Sequence, residues 1–344
     1  MMSKLEITIS ANTREGSITL IHRKERAAAT VSGEFLVQLL RESAYRENGM
    51  VLIGATIIGS FDCSDLEIRT PIRLLGCRFE KPIQCSRANL YLLDLRRSDM
   101  PGLVLTEATL AHSIQLRRTT IISKNLISPA IDANLLNVMG QIDLSYSHVK
   151  GTMTLLSTVI GGQLNCRGAT LANENGKALV MDEMKVKGSV FLNGGFSANG
   201  EVRLHSAVIG EQLICRGATL ASTNGPALMM DEVKVKGSVF LNDRFSAKGE
   251  VRLHSAVIGG QLICSDAAFA NENGLALVMD EAEVKGRVFL NDRFSVKGEI
   301  RLIGAVISGQ RVCSDSAFAN KDGKALVMDE AEVKRSLFLN IDSV

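Results

Sequence analysis

The chain repeats itself at a fixed interval, and this period restricts its fold more than any other feature. The segment GEVRLHSAVIGGQLICSDA begins at Gly249, close copies begin at Gly200 and Gly298, and a looser copy begins at Gly151. The copies at Gly200 and Gly249 are identical at 36 of 49 positions without a gap. A constant period of this length is typical of structural units that stack on one another.

Within one copy, apolar residues occur in pairs separated by a single residue. Alternation of this kind puts both members of a pair on the same side of a short extended strand. The apolar spacing of an amphipathic helix is absent, so each copy is predicted to be a series of short strands and turns. The copy at Gly200 contains eight such pairs: Val202/Leu204, Ala207/Ile209, Leu213/Cys215, Ala218/Leu220, Leu228/Met230, Val233/Val235, Val239/Leu241 and Phe245/Ala247.

Eight strands per copy divide into two four-sided coils. One step, ASTNGPALM after Leu220, is longer than the others and contains Asn, Gly and Pro, which predicts a loop at a corner. The pair rule begins near Ala55, so residues 50–344 are predicted to form a β-solenoid with four 49-residue, two-coil units from about residue 151. Residues 1–49 are predicted to form an N-terminal cap with a short helix that begins after Ser32.

Short motifs in the repeats resemble those of a known family. Ala207-Val-Ile209, Ala218-Thr-Leu220, Ala169-Thr-Leu171 and Ala88-Asn-Leu90 resemble the A-(D/N)-L-x-x unit of bacterial pentapeptide-repeat proteins. The resemblance implies an all-β fold, a right-handed four-sided parallel β-helix. It also implies one candidate function, because some members of that family mimic duplex DNA and modulate DNA gyrase.

Composition and charge restrict the partners. The chain has 39 basic and 37 acidic residues, a net charge of +2, so neither nucleic-acid binding nor a strongly acidic DNA mimic is expected. No stretch approaches 18 uninterrupted apolar residues and the first residues do not look like a signal peptide, so we expect a cytoplasmic protein without membrane contact.

The inward positions supply the predicted core. The residues assigned to it are Leu204, Ile209, Cys215, Leu220, Leu253, Ile258, Cys264 and Phe269. Cysteines of neighbouring copies are expected about 9.6 Å apart, too far for a disulfide, and so are predicted to be buried thiols. His205 and His254 recur with no acidic residue expected between them, which disfavours a metal site. We therefore predict no catalytic residue, no metal ligand and no cofactor.

Charged residues recur on the outward side, and six of them form a predicted interaction surface. They are Arg203, Arg252, Arg301, Lys187, Lys236 and Lys285. An ordinary solvated charged face is the alternative interpretation. The main functional hypothesis is a non-enzymatic scaffold that binds a protein partner or associates with itself through its C-terminal coil. The alternatives are the gyrase modulator and a carbohydrate-active β-helix enzyme that uses carboxylates such as Asp231 and Glu232.

Overall fold

The structure, a computed structural model, describes residues 19–20, 29–42, 49–124, 128–309, 311–320, 323–335 and 337–342. The chain divides into two compact units, Met1–Asn165 and Cys166–Val344. The molecule is 46% strand and 3% helix and makes about 12 turns of parallel β-solenoid, which confirms the predicted all-β solenoid. The right hand of the coil and its four-sided cross-section stay predictions.

The first unit begins with strands and a helix that precede residue 50. Thr30–Ser32 pairs in parallel with Thr56–Ile58, and Thr19–Leu20 pairs with part of Met50–Ile53. Its strands are Thr19–Leu20, Thr30–Ser32, Met50–Ile53, Thr56–Ile58, Glu67–Leu75, Arg78–Phe79, Ile83–Gln84, Asn89–Asp94, Asp99–Met100, Leu103–Val104, Thr109–Leu110, Ile114–Gln115, Thr120–Ile122, Ile131–Asp132, Asn137–Val138, Ile142–Asp143, His148–Lys150, Met153–Thr154, Val159–Ile160 and Leu164–Asn165.

Helix α1, Gly33–Glu42, follows the predicted cap residue. The Ser32 Oγ accepts a hydrogen bond from the Phe35 N–H at 3.1 Å, which satisfies an amide that the helix leaves without a partner. The Glu34 carboxylate accepts the Ser60 N–H at 2.5 Å, and this bond holds the pKa of Glu34 below its usual value. The helix buries its apolar side, formed by Leu36, Val37, Leu39 and Leu40.

Among its described residues, the second unit contains strands and the turns between them, and no helix. The strands are Thr170–Val180, Lys185–Val186, Val190–Phe191, Ser197–Arg203, Val208–Ile209, Leu213–Ile214, Thr219–Ala221, Leu228–Met229, Lys234–Val235, Val239–Phe240, Ser246–Lys248, Val251–Arg252, Val257–Ile258, Leu262–Ile263, Ala268–Val278, Glu283–Val284, Val288–Phe289, Ser295–Arg301, Val306–Ile307, Arg311–Ala319, Leu326–Val327, Glu332–Val333 and Leu337–Asp342.

The pairing of these strands shows how the period relates to the turns. Val202 pairs with Leu228, which pairs with Val251, so the first step is 26 residues and the second is 23. The two steps add to 49 residues, and one repeat therefore spans two turns. The parallel pairs continue from turn to turn as ladders, for example those at Leu220, Leu228, Val235 and Val239 in the second unit.

The core is the inside of the coil. All sixteen residues of the eight apolar pairs in the copy at Gly200 are buried. Phenylalanines stack along the interior, with Phe245 and Phe294 each meeting Phe269 edge to face at 5.6 and 5.3 Å between ring centroids. The alternating apolar residues of this copy are therefore the residues that point into the coil on every strand.

Corners between strands use the left-handed backbone conformation, at glycines and also at residues other than glycine. Ser206 and Glu232 have φ values of 53° and 55°, and each is followed by an amide that closes a turn onto the residue three positions earlier. The longer step after Leu220 was predicted to be a loop, and residues 222–227 do form a loop without a strand. In the neighbouring copies the equivalent segments lie within the continuous strands Thr170–Val180 and Ala268–Val278, whose pairing registers shift there.

Candidate interaction surface

The predicted core residues lie inside the second unit. Leu204, Ile209, Cys215, Leu220, Leu253, Ile258, Cys264 and Phe269 are each at most 1% exposed. All seven cysteines of the chain are buried thiols that form no disulfide. Burial raises the pKa of Cys215 to about 12 and also raises that of Cys264, so these thiols stay protonated and unreactive at neutral pH.

The three arginines of the predicted surface lie in intramolecular ion pairs. The Arg203 Nε lies 2.7 Å from a carboxylate oxygen of Asp182 on the preceding turn. Arg252 binds Asp231, and Arg301 binds Asp280 in the same manner. The three aspartates are buried, so each arginine neutralises a carboxylate that burial would otherwise disfavour.

The same aspartates also hold the backbone of the next corner. Asp182 accepts the His205 N–H at 3.0 Å, and Asp231 accepts the His254 N–H at 3.3 Å. Beside them, burial raises the pKa of the Glu250 carboxyl group. The arginine row is thus part of the structure that shapes the corner, and it presents fewer uncommitted hydrogen-bond donors than the sequence suggested.

An acidic residue lies on the turn between His205 and His254. Ser206 donates its N–H to the Asp231 carbonyl, and Glu232 donates its N–H to the His254 carbonyl, each at 2.8 Å. Asp231 therefore lies on the turn between His205 and His254, contrary to the expectation from the sequence. Even so, the described residues contain no group of three or more His, Cys, Asp or Glu side chains that could hold a metal ion.

Lysines in the second unit form a different kind of surface. We define the lysine face as Lys185, Lys187, Lys234, Lys236 and Lys285. All five side chains are exposed, and none forms an ion pair with a described residue. Their charges are therefore available to a partner.

Turns that carry these lysines alternate with turns that carry smaller residues. Val208 pairs with both Lys185 and Lys234, and Val257 pairs with Lys234 and Glu283. At the next outward position, Gly210 and Gly259 lie on the turns between the lysines. Since adjacent turns are about 4.8 Å apart, the charged rows repeat at about 9.6 Å.

A cluster in the first unit was not predicted from the sequence. A cavity of about 410 Å³ is lined by Ile53, Leu75, Gly76, Arg96, Arg97, Arg117 and Arg118. We call it the basic cavity. An Arg-Arg dipeptide occurs twice, 21 residues apart, and this spacing could have revealed the cluster. It is close to the length of one turn, and Arg97 donates its N–H to the Arg117 carbonyl on the adjacent turn.

Two further observations bear on the class of protein. No helix in the described part of the chain has the length and apolar character needed to cross a membrane. Comparison with protein-family models, with curated proteins and with solved structures gives no match to this chain.

Proposed function

We propose that the protein is a non-enzymatic β-solenoid scaffold that binds an acidic protein partner through its lysine face. The observation that carries this proposal is the contrast between the two kinds of predicted cation. Arg203, Arg252 and Arg301 are paired with buried aspartates, whereas Lys187, Lys236 and Lys285 are exposed and form no ion pair with a described residue.

The geometry of the lysine face favours an extended partner. A stack of turns holds charges at a constant separation, and the rows of Lys187, Lys236 and Lys285 repeat at about 9.6 Å. A segment in the polyproline II conformation presents every third residue on one side at intervals of about 9.3 Å. An acidic residue at every third position would therefore meet successive lysine rows.

Binding of this kind rests on exposed charges and so is sensitive to salt. Each exposed pair contributes about 0.2 to 1 kcal/mol, and at higher ionic strength the attraction is screened. Several pairs in register are needed for measurable affinity. The positive charge also increases the association rate of an acidic partner.

The test uses a (Glu-Pro-Pro)5 peptide as the probe and a (Gln-Pro-Pro)5 peptide as its neutral control. We expect K187A/K236A/K285A to raise the Kd for the acidic peptide by about tenfold or more, because three charge pairs are lost. The matched control K177A/K248A/K324A removes the same charge from exposed lysines elsewhere in this unit. Equal weakening by both triple variants, or equal binding of both peptides, would overturn the proposal.

The other hypotheses stay predictions. They are self-association through the C-terminal coil, modulation of DNA gyrase, a carbohydrate-active site and a cytoplasmic location. For the carbohydrate site, the two carboxylates named from the sequence already have partners. Asp231 binds Arg252, and Glu232 accepts a hydrogen bond from the Ser206 hydroxyl at 2.7 Å.

A further inference from the structure

The basic cavity of the first unit is formed at one corner of the coil. The corner residues Gly76, Arg97 and Arg118 all have left-handed backbones, with φ values of 57°, 60° and 58°. Gly76 donates its N–H to the Arg96 carbonyl, and Arg97 donates to the Arg117 carbonyl, so these corners lie on successive turns. Stacking therefore brings four guanidinium groups from two Arg-Arg dipeptides to one cavity.

Charge in the cavity is only partly balanced. Asp94 binds Arg96 through both carboxylate oxygens, and Asp143 also acts on Arg96 at longer range. Arg117 lies over the ring of Tyr146 at 5.7 Å, which stabilises the cation without neutralising it. The four arginines that line the cavity outnumber the two carboxylates that act on Arg96.

Arg97 and Arg118 are the uncommitted members of this cluster. Both side chains are exposed, and neither forms an ion pair with a residue in the described ranges. Their backbone amides are used by the coil, because Arg97 donates to Arg117 and Arg118 donates to Ser145. Recognition at this corner therefore falls to the guanidinium groups.

We propose that the basic cavity binds a terminal phosphate group, with Arg97 and Arg118 as its main ligands. Each guanidinium offers a planar fork of donors that matches two oxygens of a phosphate. The volume of about 410 Å³ lies within the range of small-molecule sites and exceeds what one phosphate fills. Ile53 and Leu75 supply an apolar wall for the remainder of the ligand.

A terminal phosphate group can belong to a soluble molecule or to a lipid headgroup, and the probes separate these sources. The free probe is inorganic pyrophosphate, measured by calorimetry at low salt. The lipid probe is a phosphatidylcholine vesicle with and without phosphatidic acid, measured by cosedimentation. Citrate serves as an oxyanion of similar charge without phosphorus.

The main variant is R97Q/R118Q, which removes both uncommitted guanidinium groups. We expect the Kd for pyrophosphate to rise by about tenfold or more, because hydrogen bonds to charged groups are lost. The control R87Q/K150Q removes two exposed positive charges from elsewhere in this unit and should change the Kd by about twofold or less. A second variant, R97G/R118G, keeps the left-handed corners without strain and should weaken binding equally.

Each outcome bears on the proposal. Arginine-dependent binding to pyrophosphate supports it and assigns a soluble ligand, whereas arginine-dependent binding to phosphatidic acid vesicles alone supports it and assigns a lipid headgroup. Absence of binding to both probes overturns it. So does equal binding by the wild-type protein and the two arginine variants, or an affinity for citrate as high as that for pyrophosphate.

Discussion

At the residue scale, Asp231 illustrates how one buried side chain holds two turns together. Its carboxylate accepts hydrogen bonds from the Arg252 guanidinium and from the His254 N–H. The residue is buried, so a charge here is stable only because these partners replace water. The equivalent residues Asp182 and Asp280 make the same contacts on their own corners.

We expect D231A to lower the free energy of unfolding of the second unit by about 2 to 4 kcal/mol, measured by urea denaturation. The loss leaves Arg252 without its partner and the His254 amide without its acceptor. The figure is below that for a fully buried pair because about a third of the Arg252 side chain is exposed. The control is D329A, where an exposed aspartate is removed, and its effect should be below about 0.5 kcal/mol. Equal losses would contradict this role for Asp231.

At the element scale, the close approach of successive turns decides which residues can follow a strand. After Val208–Ile209 the chain passes so near the preceding turn that a Cβ on Gly210 would lie 2.1 Å from the Lys187 carbonyl oxygen. Gly259 has the same relation to the Lys236 carbonyl, at 2.2 Å. Glycine at these positions therefore allows a lysine-bearing turn to pack directly below.

We expect G210A to destabilise the second unit by about 1 to 3 kcal/mol, because the added methyl group forces the two turns apart. Calorimetric unfolding of the variant and of G323A gives the comparison. At Gly323 the nearest described atom to an added Cβ lies 3.4 Å away and belongs to the Asn320 side chain, so this substitution should be nearly neutral. A G210A melting temperature equal to that of G323A would show that the contact is relieved at no cost.

At the scale of the whole molecule, a solenoid presents a strand edge wherever its stack of turns stops. Among the described strands, Leu337–Asp342 pairs with Arg311–Ala319. Ser336, Ser343 and Val344, which also belong to the predicted C-terminal coil, lie outside the described residues. Unpaired edges of parallel coils can add a strand from another chain, which is the physical basis of the predicted self-association.

We expect light scattering after size-exclusion chromatography to give the mass of a dimer or larger assembly for the native chain. Replacing residues 335–344 by a charged, proline-containing cap should yield a monomer, because proline removes a donor and charge opposes pairing. The variant K177A/K248A/K324A controls for changes in surface charge. A monomeric native chain would refute self-association and leave the lysine-face proposal intact.

Much of the fold follows from the sequence. Which residues point inward could be predicted, because alternation is a local property of a strand. The spacing of Val202 and Leu204 places both on the buried side, whatever residues lie on the neighbouring turn. The cap at Ser32 is local for the same reason. The candidate site was less predictable, since six cations look alike in the sequence and only the contacts separate Arg252 from Lys236.

The amino-acid sequence by itself determined the period, the strand phase and the solenoid class, because these depend on residues a few positions apart. The tertiary structure alone decided which side chains meet across turns. Asp231 lies on the turn between two histidines, 26 residues after the first and 23 before the second. Arg97 and Arg118 lie 21 residues apart on successive turns, and these steps depend on the length of each corner. These steps decide which arginines and lysines can bind a partner. The residue that a step places on the next turn either neutralises the cation or leaves it exposed.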